Sequence, residues 1–315
     1  MGSLDAAPAG SRVRPALNLL AALLACSAWS YCSAEALRLC DRTAPLGADE
    51  QDKVLRFGGV IKAELENSGR GAALVSRSAV DLSRFGVRYS HAGLSFKTGR
   101  DTAWSVRQLY YACNEGRPRI YDQGLSGFLL GADAPPIAYV SVVLLPADEG
   151  ASLQRAAMDN RQALQLLGTA YSANAYPFSV RYQNCNQWVM ELLATSLGRL
   201  PDFEPAWDPR AQAQGWLQQH GYVPTVFEVG QRPLMWFATL SPWLHSDDHP
   251  AEEIEAMRYR VSMPASIEAF VRATVPGAAR IEFCRTDTRV VIRYGWDPIA
   301  EGCQPGEHDT VVALQ

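Results

Sequence analysis

Apolar and polar residues along this chain follow helical and strand-like periods in turn. Residues 49–67 carry apolar side chains at helical spacing, with acids early and Asn67-Ser68-Gly69 as a stop signal. Strands are predicted at 72–76, 87–96 and 103–112, and Gly99-Arg100-Asp101 is the expected turn between the last two. Strand alternation over 87–96 places five residues on one face, namely Val87, Tyr89, His91, Gly93 and Ser95.

The middle of the chain contains its most strand-like run. Residues 136–146 are apolar on both faces, which predicts a buried central strand. Helices are predicted at 152–167, 184–197 and 211–220, with an aromatic-rich loop at 171–182, a Pro/Asp linker at 201–209 and a surface loop at 236–250. From residue 259 we expect a strand, a helix at 265–273 and a hairpin of residues 280–283 and 289–294. The pattern predicts an α+β fold with a small C-terminal α/β extension at 251–315.

The first 34 residues have the layout of a secretory signal peptide. A positive region precedes a short apolar run at 16–25, and small residues suited to cleavage follow it at Ser33, Ala34 and Ala36. We therefore predict a signal peptide at 1–34, a main domain at 35–250 and a periplasmic location.

A second interpretation keeps the protein at a membrane surface. Leu23-Leu24-Ala25-Cys26 resembles a lipobox, which would make the protein a lipoprotein anchored through Cys26. A retained span is disfavoured because the run is shorter than the ~20 apolar residues that a membrane helix needs. No later stretch is apolar enough to span a membrane, so we expect no transmembrane segment in the mature chain.

Charge and length narrow the function classes. The chain has 315 residues and a formal net charge of −4. This length is enough for one large domain or two small ones. Affinity for nucleic acid requires clustered positive charge. Since no long Lys/Arg block occurs, we expect no nucleic-acid partner.

Export changes the interpretation of the cysteines. The five that remain after cleavage are Cys40, Cys113, Cys185, Cys284 and Cys303. An odd number in an oxidising compartment indicates disulfides plus one thiol. We expect Cys40 to pair with Cys113, and Cys284 with Cys303 because they flank the predicted hairpin, although four cysteines allow three pairings. Cys185 is then the thiol.

Cys185 and His91 are the residues best suited to chemistry. A thiol at a helix N-terminus feels the positive end of the helix dipole, which favours the thiolate. A His on a neighbouring strand supplies a general base. The imidazole is usually oriented by a third polar residue. Gln108 on the next strand is our candidate for it, with Asn114 and Ser105 as alternatives.

Two segments resemble known families. Residues 169–178 together with Tyr182-Gln183-Asn184-Cys185-Asn186-Gln187-Trp188-Val189 look like the nucleophile segment of permuted NlpC-like enzymes, in which the His strand precedes the Cys helix. Arg84-Phe85-Gly86-Val87-Arg88-Tyr89-Ser90-His91-Ala92-Gly93, taken with residues 182–188, resembles the bacterial family called domain of unknown function 2145. The resemblance covers roughly residues 40–243.

The resemblance implies a circularly permuted papain-like fold, with an antiparallel sheet packed on the helix that bears Cys185. It implies Cys185 as nucleophile and His91 as base. Gln108 carries over weakly, because the third residue in such enzymes is often His.

These observations predict an exported cysteine hydrolase that cleaves an amide or ester bond in the cell envelope. The expected substrate is an envelope peptide, peptidoglycan or an acyl-linked molecule, and the mechanism needs no cofactor. The Cys185 N–H and the Gln183 side chain are the candidate oxyanion donors. Tyr89, Tyr182 and Trp188 are expected to wall the substrate pocket.

Other interpretations stay open at this stage. The same fold could serve as a non-catalytic envelope binding or assembly protein, or as a thiol acyltransferase in which a hydroxyl or amine replaces water. The run His245-Ser246-Asp247-Asp248-His249 contains ligand-type residues, but zinc sites need three or four ligands in fixed geometry. We therefore predict no metal site. The sequence leaves the oligomeric state open.

Overall fold

The computed structural model of this chain describes residues 46–97, 99, 102–130, 137–200, 208–230 and 241–314. The predicted signal peptide, Cys26, Cys40 and the predicted linker at 201–207 lie outside the described residues. All statements below refer to the described part of the chain.

The first half contains two helices and five strands. In chain order these are α1 (Ala48–Asn67), β1 (Ala72–Arg77), β2 (His91–Lys97), β3 (Trp104–Ala112), β4 (Arg117–Gly124), α2 (Leu125–Leu130) and β5 (Ala138–Leu144).

The second half is richer in helices. The elements are α3 (Ala147–Met158), α4 (Asn160–Gln165), α5 (Cys185–Leu197), α6 (Pro209–Gln219), β6 (Thr225–Glu228), α7 (Ala251–Glu255), β7 (Arg258–Val261), α8 (Pro264–Thr274), β8 (Ala279–Arg285), β9 (Arg289–Tyr294) and β10 (Thr310–Ala313).

The large sheet has eight described strands in the order β10-β9-β8-β5-β1-β2-β3-β4. Each neighbouring pair is antiparallel. Strands β6 and β7 form a separate pair. The protein is therefore an α+β protein with a large antiparallel sheet, as expected. Residues 251–315, which we expected to form an extension, supply β8, β9 and β10, so the sheet crosses the boundary placed at residue 250.

Helices cover both faces of this sheet. One apolar cluster combines alternate residues of β1 and β2, such as Leu74 and Leu94, with residues of α3 to α6 and α8. The other combines the intervening residues, such as Val75, with residues of α1 and α2, including Phe128. Strand β5 contributes Val143 to the first cluster and Val142 to the second. This confirms that the strand predicted at 136–146 is central and apolar on both faces.

Side-chain caps set the helix starts. The Asn184 Oδ1 atom accepts from the Gln187 N–H at 2.7 Å, so α5 begins at Cys185. The single helix predicted at 152–167 is wrong, because Asp159 ends α3 and its carboxylate caps α4 by accepting from the N–H groups of Arg161 and Gln162.

Two strand predictions need correction. Strand β2 begins at His91 and not at Val87, because residues 83–85 form a 3₁₀ turn and the Ser90 hydroxyl accepts from the N–H groups of Ala79 and Val80. Strand β4 is absent from the prediction, since its alternating polar residues and Pro118 mark it as an edge strand rather than a core strand.

The cysteines are consistent with an oxidised chain that retains one thiol. Cys284 and Cys303 form the expected disulfide, with their Cα atoms 5.6 Å apart. Cys113 is also disulfide-bonded, and its partner lies outside the described residues. Cys185 is not in a disulfide. In the described ranges, every helix is too short or too polar to cross a membrane.

Candidate functional site

Cys185 is the first residue of α5 and is 7% exposed. Its neighbour Asn184 holds the start of this helix from two sides. The Asn184 side chain caps the helix at the Gln187 N–H, and its Nδ2 atom donates to the Ala173 carbonyl at 3.2 Å. The Cys185 thiol therefore lies at a fixed helix N-terminus, where the helix dipole stabilises negative charge.

Asn186 connects this helix start to the strand that carries His91. Its Oδ1 atom accepts from the Ala92 N–H at 2.9 Å, and its Nδ2 atom donates to the Ser90 carbonyl at 3.1 Å. The pairing of β2 with β3 starts at Leu94, so the Asn186 amide occupies the place that β3 leaves open. The residue after Cys185 is thus bonded to both residues that flank His91.

His91 contacts Gln108 directly. The Nε2 atom of the ring is hydrogen-bonded to the Gln108 Oε1 atom. Because an amide oxygen only accepts, Nε2 carries the proton and the lone pair is on Nδ1. Of the three candidates for the third residue, Gln108 is the one that meets His91. Ser105 is bonded to the Phe96 carbonyl instead, and Asn114 is exposed in the turn after β3.

Burial and charge keep the imidazole of His91 neutral. Its side chain is 8% exposed and its ring centroid is 5.8 Å from that of Phe128. Burial lowers the pKa of His91 to about 3, and the nearby Arg77 guanidinium lowers it further while Gln108 opposes the shift. We call His91, Gln108 and Arg77 the His91 cluster.

The two halves of the candidate site approach from opposite faces of the sheet. Ala92 and Leu94 face the cluster beneath α5, and Cys185 belongs to that cluster. Strand alternation then directs His91 to the other face, where it packs beside Phe128 of α2. The structure brings His91 and Gln108 into direct contact, and it links Cys185 to His91 through the Asn186 side chain at the end of β2.

Gln183 has a structural role instead of the expected oxyanion role. Its Oε1 atom accepts from the Gly168 N–H at 2.7 Å, and its Nε2 atom donates to the Leu166 carbonyl and to Glu191. Both ends of the amide are used inside the fold, and the residue is fully buried. A carbonyl substrate therefore finds no donor at this side chain.

Two of the three expected pocket residues are also buried in the fold. Trp188 is 0% exposed and its Nε1 atom donates to the Ala163 carbonyl, so it is a core residue. The Tyr89 hydroxyl is bonded to Glu282 on β8, and burial raises the pKa of this phenol well above its usual range. Neither side chain walls an open pocket.

Tyr182 is the expected pocket residue that lies at the surface. Its ring stacks on His245 with the centroids 4.5 Å apart, and its hydroxyl donates to Asp247 at 3.4 Å. His249, in the same loop, is bonded to the Asn174 carbonyl. The described residues contain no group of three or more ligand-type side chains placed to hold a metal ion.

A buried ion pair supports the loop before Cys185. Glu191 of α5 is 0% exposed, and its carboxylate accepts from the Arg210 guanidinium through Nε at 2.9 Å and Nη2 at 3.2 Å. Burial raises the pKa of Glu191, and Arg210 opposes the shift. Three amide side chains donate to the same carboxylate, those of Gln183, Gln187 and Gln214. We call these five residues the Glu191 cluster.

The Glu191 cluster also fixes the backbone that leads into α5. Arg210 donates to the carbonyls of Val180 and Tyr182, and Gln214 donates to that of Ser179. Sequence reasoning missed this cluster and Asn186, because an Asn, Glu or Arg within a helix has no local signal that it is buried.

Family comparison agrees with the sequence. The model of the bacterial family described as "Uncharacterized protein conserved in bacteria (DUF2145)" matches residues 64–271, which is more than half of the chain. The chain belongs to this family. Its matched region includes His91, Gln108 and Cys185. No curated protein and no solved structure matches the chain.

Proposed function

We propose that this protein is an exported thiol hydrolase that cleaves an amide or ester bond in the cell envelope. In this proposal Cys185 is the nucleophile, His91 is the general base and Gln108 orients the imidazole. The observation that carries it is the Asn186 bridge, which holds the helix start next to Cys185 against the two residues on either side of His91.

The geometry of the base supports this assignment. Gln108 takes the proton side of the His91 ring, which leaves the Nδ1 lone pair to accept a proton. The third residue of a thiol–imidazole site has this orienting role. The permuted papain-like order, with the His strand before the Cys helix, is part of the proposal.

The proposed reaction has two halves. The thiol proton passes to His91 Nδ1 as Cys185 Sγ attacks the substrate carbonyl, and the backbone N–H of Cys185 stabilises the oxyanion. The carbon–nitrogen or carbon–oxygen bond then breaks, His91 returns its proton to the leaving group, and a thioester forms. Water, deprotonated by His91, hydrolyses that thioester and regenerates the thiol.

One observation favours a second candidate, a non-catalytic envelope binding or assembly protein. Cys185 and His91 are each less than a tenth exposed. A neutral imidazole whose pKa is about 3 is a weak base until the site is rearranged by a ligand. A protein that keeps this fold for binding would show the same burial.

Acylation of Cys185 by p-nitrophenyl acetate distinguishes the two candidates. We expect one acetyl group per chain by intact-mass analysis, located at Cys185, with release of nitrophenolate. Cys185→Ala should abolish acetylation, and His91→Ala should slow it by about 10²-fold or more because the general base is lost.

His220→Ala is the matched control, because His220 is an exposed histidine on the C-cap of α6. This variant should acylate like the wild type. Equal acylation rates in the wild type and His91→Ala, or no acylation of the folded wild type, would leave the binding function as the better proposal.

A further inference from the structure

Arg77 lies directly opposite His91 in the sheet. The two residues are register partners in the antiparallel β1–β2 pair, so their side chains lie on the same face. The Arg77 guanidinium carbon is 4.9 Å from the centre of the Phe128 ring, and the His91 ring packs against the same Phe128. A cation and the candidate base therefore share one apolar wall.

This guanidinium is as deeply buried as the histidine. Arg77 is 3% exposed, so water screens its charge poorly. The elements packed around His91 contribute Arg77 from β1, Gln108 from β3, Phe128 from α2 and, at the start of α5, Cys185. Of these, Gln108 and Phe128 carry no charge.

We propose that Arg77 is a positioning residue of the candidate site, and that its buried positive charge excludes an imidazolium at His91 and keeps the resting pair as a thiol and a neutral imidazole. This inference rests on the proposed function for its catalytic meaning. Its electrostatic content concerns His91 alone.

The inference has a mechanistic consequence. Many thiol enzymes rest as a thiolate–imidazolium ion pair, in which the nucleophile is formed before substrate arrives. A cation next to the imidazole disfavours that ion pair. The thiol of this protein would then be deprotonated during attack on the carbonyl, which makes the site selective for substrates that bring the carbonyl carbon against Sγ.

The test separates the charge of Arg77 from its packing. Arg77→Gln removes the charge, and Arg77→Lys keeps it. The ionisation of His91 is followed by NMR on ¹³C-labelled histidine between pH 3 and 8, with a His91→Gln variant to assign the signal. Arg77→Gln should raise the pKa of His91 by about one unit or more, while Arg77→Lys should leave it near the wild-type value.

Arg119→Gln is the matched control, since Arg119 is an exposed arginine on β4 whose removal changes the net charge equally. It should leave the pKa of His91 unchanged. A folded Arg77→Gln variant with an unchanged His91 pKa overturns the inference. The wild type alone also tests it, because a His91 that titrates near 6.5 would already contradict a neutral resting imidazole, whether or not any variant folds.

A second readout connects the result to chemistry. In Arg77→Gln the rate of Cys185 alkylation by iodoacetamide at pH 6 should rise about tenfold, as an ion pair becomes accessible. A raised His91 pKa with unreactive Cys185 would support the electrostatic role of Arg77 and count against the thiol-hydrolase proposal. The two claims therefore fail separately.

Discussion

The Glu191 cluster and the His91 cluster are both buried against the large sheet, yet they handle charge in opposite ways. In the Glu191 cluster a carboxylate faces a guanidinium and each carboxylate oxygen accepts several hydrogen bonds. In the His91 cluster an imidazole is bonded to an uncharged amide, with a guanidinium beside it. The first arrangement keeps its charges permanently and holds a loop. The second keeps a titratable group neutral, which suits a group that gains and loses a proton.

The largest expected effect comes from breaking the Glu191 cluster. Glu191→Ala leaves the Arg210 guanidinium buried without its carboxylate, and should lower the free energy of unfolding by about 3–5 kcal/mol. Urea denaturation followed by circular dichroism measures this. Glu228→Ala, which removes an exposed partner of Arg258, is the control and should cost less than about 1 kcal/mol. Similar losses in the two variants would show that the buried ion pair is not a framework element.

The His91 cluster should reveal itself through pH. Its folded pKa of about 3 is below the unfolded value of 6.5, so the unfolded state binds more protons between these values. The contribution of neutral His91 is complete above pH 6.5 and is lost as the pH falls towards 3, at about 1.4 kcal/mol per pH unit.

Comparing the wild type with His91→Gln at each pH isolates this contribution. The raised pKa values of Glu191 and Glu268 act in the opposite direction, and they are common to both proteins. The wild type should lose stability faster than the variant between pH 6 and 4. Parallel pH profiles would mean that His91 is not held neutral.

The smallest effect is expected at Asn186, which lies between the two clusters. Asn186→Ala removes both hydrogen bonds to β2 and should cost about 1–3 kcal/mol. Asn184→Ala, which removes the helix cap, should cost about 1 kcal/mol and is the matched control. Acetylation of Cys185 should slow more in the first variant than in the second. The reverse order would mean that the cap, and not the bridge, positions the thiol.

The sequence predicted the elements whose pattern is local. The apolar run of β5 and the period of α1 appear as expected, because burial of a whole strand or of one helix face is visible in consecutive residues. The break between α3 and α4 was missed because Asp159 caps through its own side chain within an otherwise helical period. Strand β4 was missed because an edge strand needs few apolar residues.

The candidate site was predictable in part. The resemblance of the His91 and Cys185 segments to a known family indicated which residues to examine, and Gln108 followed from its position on the next strand. The roles assigned to Gln183, Trp188 and Tyr89 were wrong, because a polar or aromatic residue near a nucleophile in sequence can face the core. Glu191 and Arg210 are far apart in sequence, and only the packing of α5 on α6 brings them together.

The position of β5 in the sheet has a consequence for how the chain folds. One edge of β5 pairs with β1, but the other pairs with β8, from Ala138 opposite Arg285 to Leu144 opposite Ala279. The ribosome makes β8 long after β5, and the family-matched region ends at residue 271, before β8 begins. Until the last strands are synthesised, β5 presents an unpaired, strongly apolar edge of the kind that templates aggregation. Folding intermediates and chains truncated near residue 271 should therefore depend on chaperones that bind extended apolar segments.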